Sequence, residues 1–202
     1  MSEHTLQNQR NLQVVLASRP EGRVGPEHFR FIEREIPRVD EGQVLVRNHY
    51  LSLDPYMRGR MNEGRSYATP QAVGEVMIGG TVGEVVASRH PQFAVGQFVV
   101  AQFGWQLFGL STDGRGLRRV DPDRHPLTTR LGVLGMTGVT AWYGINKICV
   151  PKANETIVVS AASGAVGGVA GQLAKQIGCR VVGIAGGAEK CAYVRGELGF
   201  DA

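Results

Sequence analysis

The chain has 202 residues, 43% hydrophobic and 20% charged, with a net charge of +4. That balance excludes a disordered or fibrous protein and leaves room for one large domain or two small ones, each with a core. The basic residues are scattered except in "MRGR" at 57–60 and "RGLRR" at 115–119; neither cluster has interleaved aromatics, so both read as solvated loops and no nucleic-acid partner is expected.

The N-terminal "MSEHTLQNQRNLQVVLASRP" has no apolar run of signal-peptide length and no cleavage-like site. The uncharged run 157–174 is rich in Gly, Ala and Ser, which argues against a membrane span. No membrane partner and a cytoplasmic location are expected. Cys149, Cys179 and Cys191 are too few and too spread for a disulfide framework or a zinc cluster and read as buried free thiols. The five histidines show no ligand spacing and read as surface or loop residues.

Residues 12–110 carry short alternating runs such as "QVLVRNHYLSL", "MIGGTVGEVVAS" and "GQFVVAQFGW", separated by Gly and Pro. Several short strands with such punctuation predict a barrel-like β domain. The polar "STDGRGLRRVDPDRHPLTTR" reads as a loop, with a boundary near its end that gives domains 1–128 and 129–202.

Beyond it, "LGVLGMTGVTAWYGINKIC" at 131–149 predicts a helix, and "TIVVSAAS" a continuous β-branched run typical of a buried parallel strand. "GAVGGVAGQLAKQIG" follows as a helix with small residues on one face, "CRVVGIAGG" as a second strand, and "AEKCAYVRGELG" as a helix weakened by Gly196. "FDA", 200–202, would open a third strand. Strand, helix and strand at this spacing predict a βαβ unit, the first part of a doubly wound Rossmann sheet.

"AASGAVGG" places a glycine turn directly after a strand and before a helix, the setting a dinucleotide fingerprint requires. Gly164 and Gly167 hold its second and third glycine positions, and Ala162 stands where the first usually sits. Absence of a side chain at Gly164 lets backbone N–H groups approach a pyrophosphate, and Gly167 lets the helix lie close to the strand. Ala162, Ser163, Gly164, Ala165, Val166 and Gly167 are the expected contacts. An acid after the second strand would accept hydrogen bonds from the ribose 2′-OH of NAD. Here Ala185, Gly186 and Gly187 leave that tip neutral, and Lys190 follows. Lys190 reads either as a solvated surface lysine or as a point charge for a 2′-phosphate; the missing acid favours the second and makes NADP, with Gly186 and Lys190 as contacts, the expected cofactor.

Together "VLASRP", "LSLDPYMRGRM", "LGVLGMTGVTAWYG", "AASGAVGGVAGQLAKQIGCRVVG" and "GGAEK" resemble the zinc-independent medium-chain dehydrogenase/reductase superfamily. The branch is that of prostaglandin reductases, leukotriene dehydrogenases, alkenal double-bond reductases and bacterial curcumin reductases. The resemblance implies a GroES-like β domain followed by a Rossmann domain, an active site in the cleft between them, and a homodimer for the full-length protein. It implies NADPH-dependent reduction of the C=C bond of an α,β-unsaturated ketone or aldehyde, with hydride to the β-carbon and a proton to the α-carbon. Quinone reductases share the architecture and remain an alternative, as does a non-catalytic fragment retaining only nucleotide binding.

Zinc-dependent relatives carry Gly-His-Glu where this chain has Gly79 and Gly80, and a Cys ligand near Asp54, so no metal is expected. A hydroxyl must then stabilise the developing enolate, and Tyr56 in "DPYMR" is the group that the resemblance implies for catalysis and substrate binding; from composition alone it reads as a packing tyrosine after an Asp-Pro turn. Pro55 is the implied neighbour of the nicotinamide, and Arg58 an ion-pair former. In "GMTGVTA", which resembles the family's GMPGxTA, Met136 is the implied pocket wall and Thr140 a cofactor contact or a helix hydroxyl bonding backward. Thr137 replaces the usual proline, which predicts a less rigid loop. Family members continue for more than a hundred residues past position 202, so the chain reads as the N-terminal portion of such a reductase, without the second pocket tyrosine.

Overall fold

The computed structural model describes residues 9–64 and 68–202. The first eight positions of the stretch read above for a signal segment, with His4 among them, lie outside the described residues. The chain divides into two compact units, Met1–Thr128 and Thr129–Ala202.

The first unit contains strands β1 (Arg10–Leu16), β2 (Phe29–Glu35), β3 (Val44–Leu51), β4 (Thr81–Ser88), β5 (Phe98–Ala101), β6 (Phe108–Ser111) and β7 (Arg118–Val120), with a short helix α1 (Tyr56–Arg60). β1 and β2 form an antiparallel pair; the other five form an antiparallel sheet in the order β6-β3-β4-β5-β7. Alternation along β3 sends Val44 and Val46 to a cluster with Val85, Phe93 and Val99, while Leu45 packs with Val86 and Phe108. Both faces are thus buried at the start of β3, Val44–Val46, whereas Arg47, His49 and Tyr50 further along it are exposed. A third cluster, Leu16, Met57, Met61 and Met77, includes Met57 of α1 and Met61 directly after it.

Two expectations are corrected here. The polar segment read as a loop contains β7, which pairs with β5 and presents Arg118 and Arg119 to solvent; a charged strand of this kind suits a sheet edge because it discourages further pairing. "MRGR" is helical, since Met57 and Met61 fall on one apolar face. His49, expected at the surface or in a loop, is exposed on β3, 3.7 Å from Glu84 and edge-on to Phe98.

The second unit contains α2 (Met136–Tyr143), which continues into a π-helical turn Gly144–Cys149, then β8 (Thr156–Ser160), α3 (Gly167–Ile177), β9 (Arg180–Ile184) and α4 (Ala188–Gly196). The helix predicted from 131 begins at Met136, because residues 131–135 turn back on themselves through Leu134 N–H to Thr129 O and Gly135 N–H to Gly132 O. β8 and β9 are parallel neighbours from Thr156↔Arg180 to Ser160↔Ile184, joined by α3. The face α3 turns inward is made of Gly168, Gly171 and Ala174, spaced by one helical turn so that the backbone approaches the strands closely. The core gathers Val159, Val181, Val194 and Phe200 with Ala162 and Ala174. The fold is thus a β domain of GroES type followed by the start of a Rossmann sheet. Of the cysteines, only Cys179 is buried; Cys149 and Cys191 are exposed, the first at the end of the π turn and the second on the outer side of α4. Among the described residues no helix is long and apolar enough to cross a membrane.

Residues 200–202 do not form a regular third strand, yet they lie along β9. Asp201 N–H donates to Val181 O at 2.8 Å, and Gly183 N–H donates to Ala202 O at 2.7 Å. The Asp201 carboxylate accepts hydrogen bonds from Lys175 Nζ at 2.8 and 2.9 Å and from Val181 N–H at 2.6 Å. The Lys175 bond foremost, then the Val181 bond, holds its pKa below the ordinary 3.8. A carboxyl with a depressed folded value stabilises the fold above its unfolded pKa and loses that contribution as pH falls through the folded one. Acidification below 3.8 is therefore expected to loosen residues 200–202 from β9. NMR titration should show the Val181 amide shifting with Asp201, and Asp201→Asn should abolish that transition.

Candidate functional site

In the first unit the segment of interest is the turn into α1. Pro55 precedes the helix and is exposed, and Tyr56, its first residue, is half-buried against the Leu16, Met57, Met61 and Met77 cluster. The packing role considered for Tyr56 is therefore real, whatever else its hydroxyl does. α1 is fastened from outside. Arg58 donates to Gly22 O at 2.7 Å, to Pro20 O at 3.3 Å and to Asn62 Oδ1. Arg19 donates to Met61 O at 2.8 Å and pairs with Glu63 at 2.7 Å. Arg58, expected as an ion-pair former, instead holds main-chain carbonyls, and nothing in the local sequence pattern signals the reach of either arginine.

A Cβ on Gly79 would lie 2.8 Å from Leu51 Cδ1, 3.1 Å from Met57 Cε and 3.2 Å from Trp105 Cδ1. Trp105 is itself stacked on Phe29 with ring centroids 5.4 Å apart. The volume that a histidine at position 79 would occupy is filled by apolar side chains. Gln71, 6% exposed, holds this segment in place by accepting from Ile78 N–H at 3.2 Å and donating to Val76 O at 3.1 Å; a lone glutamine in a loop gave no sequence signal of that role.

In the second unit the glycine turn and the cofactor-choice stretch come together, because Ser160 and Ile184 are paired residues at the carboxyl ends of two adjacent parallel strands. In open α/β sheets this is the edge where ligands bind. After β8 the chain turns through residues 161–164, closed by Gly164 N–H to Ala161 O at 2.8 Å. Ala162 is fully buried and donates its N–H to Ile184 O at 3.0 Å. Ser163 is half-buried, and Gly164, Ala165 and Val166 are exposed at the start of α3. Among the described residues the N–H groups of Ala165, Val166 and Gly167 have no protein acceptor, the unfilled donors expected at a helix start. A Cβ on Gly167 would lie 2.4 Å from Ala161 O, and one on Gly164 3.1 Å from the same oxygen.

Beyond β9 a side chain on Gly186 would meet nothing within 4 Å, and Gly187 has φ +85°, a conformation suited to glycine. Glu189 and Lys190 occupy the first turn of α4, and Lys190 is exposed with no ion pair among the described residues. A cation there opposes the positive end of the helix dipole, an arrangement that an anion would relieve. Open glycines, free N–H donors and an unpaired lysine on one sheet edge fit a phosphorylated dinucleotide.

Met136 is exposed at the start of α2. Thr140 is exposed, and its hydroxyl donates back to Met136 O at 2.7 Å, leaving its oxygen lone pairs to accept. Thr137, where a proline is usual, donates its hydroxyl to Gly132 O at 2.9 Å. The loop expected to be looser is constrained by that side-chain bond in place of a ring.

Residues 12–120 match the family described as the N-terminal domain of oxidoreductase. The chain is 51% identical over 195 residues to the NADPH-dependent curcumin reductase of Escherichia coli (strain K12), covering 96% of this chain and 56% of that protein. It is 44% identical over 177 residues to prostaglandin reductase 1 of Rattus norvegicus, covering 86% of this chain and 51% of that protein. The crystal structure of CurA in complex with NADPH from Vibrio vulnificus superposes with a TM-score of 0.90 at 48% identity, covering 94% of this chain and 56% of that one. The chain spans about half the length of the curated relatives it matches. It belongs to this family of oxidoreductases, in the medium-chain dehydrogenase/reductase branch of the curcumin, prostaglandin and alkenal reductases.

Proposed function

We propose that the protein is an NADPH-dependent reductase of the C=C bond of α,β-unsaturated ketones and aldehydes. The observation that carries this reading is the neutral, open end of β9 with Lys190 unpaired on the next helical turn, beside the free N–H groups of the glycine turn. The names of its relatives, NADPH-dependent curcumin reductase and prostaglandin reductase among them, support it.

NADPH, when bound, supplies the hydride. The N–H groups of Ala165, Val166 and Gly167 hold its pyrophosphate, with Ala162, Ser163 and Gly164 shaping the turn, while Lys190 and Gly186 receive the 2′-phosphate. Pro55 and Thr140 contact the nicotinamide end, and Met136 walls the substrate pocket. The Tyr56 hydroxyl donates to the carbonyl oxygen of the substrate and stabilises the negative charge that develops there. Apolar side chains at the position of a lost metal ligand leave that hydroxyl as the polarising group. Three unpaired cysteines, two of them exposed, suit a reducing compartment, and a cytoplasmic setting and a homodimeric full-length protein belong to the same reading.

The test is NADPH oxidation against a panel of enals, enones and quinones in the intact reductase, with the product analysed for saturation between the α- and β-carbons. Reduction of quinones alone would move the protein to the quinone reductases. Tyr56→Phe removes one hydrogen bond, whose usual net value of about 0.5–1.5 kcal/mol predicts an enone reduction rate about two- to tenfold lower. NADPH affinity should not change, and an unchanged rate would return Tyr56 to packing alone.

A further inference from the structure

Ala161 stands at φ +48°, in the left-handed region that residues with a Cβ enter rarely. Its side chain is exposed, so no packing of that methyl group accounts for the conformation. What the conformation does is turn the Ala161 carbonyl back over the residues that follow. That one oxygen accepts the Gly164 N–H at 2.8 Å and closes the turn. It is also the atom nearest to any Cβ placed on Gly164, at 3.1 Å, or on Gly167, at 2.4 Å. The tight approach at Gly164 and the steric block at Gly167 therefore both involve a single carbonyl, whose direction is set by the backbone of Ala161. The closed turn satisfies Gly164 internally and leaves the N–H groups of Ala165, Val166 and Gly167 as the unused donors.

We infer that Ala161 is a positioning residue for the dinucleotide phosphates: its left-handed backbone aims the carbonyl that winds the turn and so presents the next three free N–H groups as one set. The inference rests on the NADPH reading above. Ala161 acts through Gly164 and Gly167, and its own side chain carries none of the effect. Binding should then follow the ease with which residue 161 enters the left-handed region, and not the size of its side chain.

The experiment titrates the full chain with NADPH, following nicotinamide fluorescence, alongside thermal unfolding of each variant. Gly and Asn enter the left-handed region readily, whereas Val is β-branched and does not. Ala161→Gly and Ala161→Asn should bind within about threefold of the parent, and Ala161→Val at least about tenfold more weakly. Asn and Val differ little in bulk, so their separation reports the backbone. Ala161→Leu, larger than Ala but unbranched at Cβ, should bind within about threefold of the parent and so separates bulk from backbone even where the Val variant fails to fold. A Val variant that binds as the parent does, or a Leu or Asn variant as weak as Val, overturns the positioning role. A purely structural role would lower the unfolding temperature and leave NADPH affinity in place, which also overturns it. A parent chain that does not bind NADPH overturns the cofactor reading itself, and the positioning role with it.

Discussion

Lys190→Ala is expected to weaken NADPH binding by about 10- to 100-fold and to leave NADH binding where it was. The magnitude follows from a hydrogen bond to a charged group, worth about 1.5–3 kcal/mol. The selectivity follows from position. Lys190 is exposed on the first turn of α4, beyond a β9 tip that carries no acid for the ribose hydroxyls, so the lysine has a partner only when a 2′-phosphate is present. High salt should reproduce part of the effect, because exposed charges are screened within about 8–10 Å at physiological ionic strength. The converse change tests the tip itself. Gly186 has open space where a side chain would go, and Gly186→Asp combined with Lys190→Ala should turn the preference toward NADH by offering the ribose an acceptor while repelling a phosphate. Equal losses for the two cofactors on Lys190→Ala would mean that the lysine acts on the fold and not on the phosphate.

What could be read from the sequence was local and periodic. A β-branched run followed by "ASGAVGG" and an eleven-residue amphipathic stretch places strand, turn and helix with little ambiguity, and the missing acid after β9 is visible as an absence at a defined offset. What escaped depends on partners far along the chain. β7 exists because β5 offers an edge, and nothing in "RGLRR" announces a strand. Arg58 reaches carbonyls 36 and 38 residues away, a distance no local pattern encodes. Thr137 was read through what a proline would do, while its hydroxyl had a different means of fixing the loop. The left-handed Ala161 is hidden for a different reason: its contacts are local, but alanine carries no sequence mark of unusual backbone, unlike the glycines that follow it.

Phe200 is the most consequential of these unannounced contacts, and it yields the largest expected effect on stability. Its ring fills the space that a side chain on α3 would need: a Cβ on Gly171 would sit 1.8 Å from Phe200 Cζ and 2.3 Å from Cε1. From the other side, a Cβ on Gly183 would lie 2.9 Å from Phe200 Cδ2, so the ring is lodged between helix and strand. It cannot swing away cheaply, because Phe200 N–H is bonded to Val194 O at 3.2 Å and the next residue to Val181 O at 2.8 Å. Gly171→Ala should therefore destabilise the second unit, by about 1–3 kcal/mol as overpacking usually does, even though alanine is better than glycine in a helix by roughly 0.5–1 kcal/mol. Phe200→Ala alone should cost about 3–5 kcal/mol through the void it leaves. Combined, the two changes should cost less than their sum, since the new methyl group moves into space the ring has vacated. Thermal unfolding of the four proteins measures this directly. A Gly171→Ala variant as stable as the parent, or strict additivity in the pair, would show that the ring does not dock on α3 in solution.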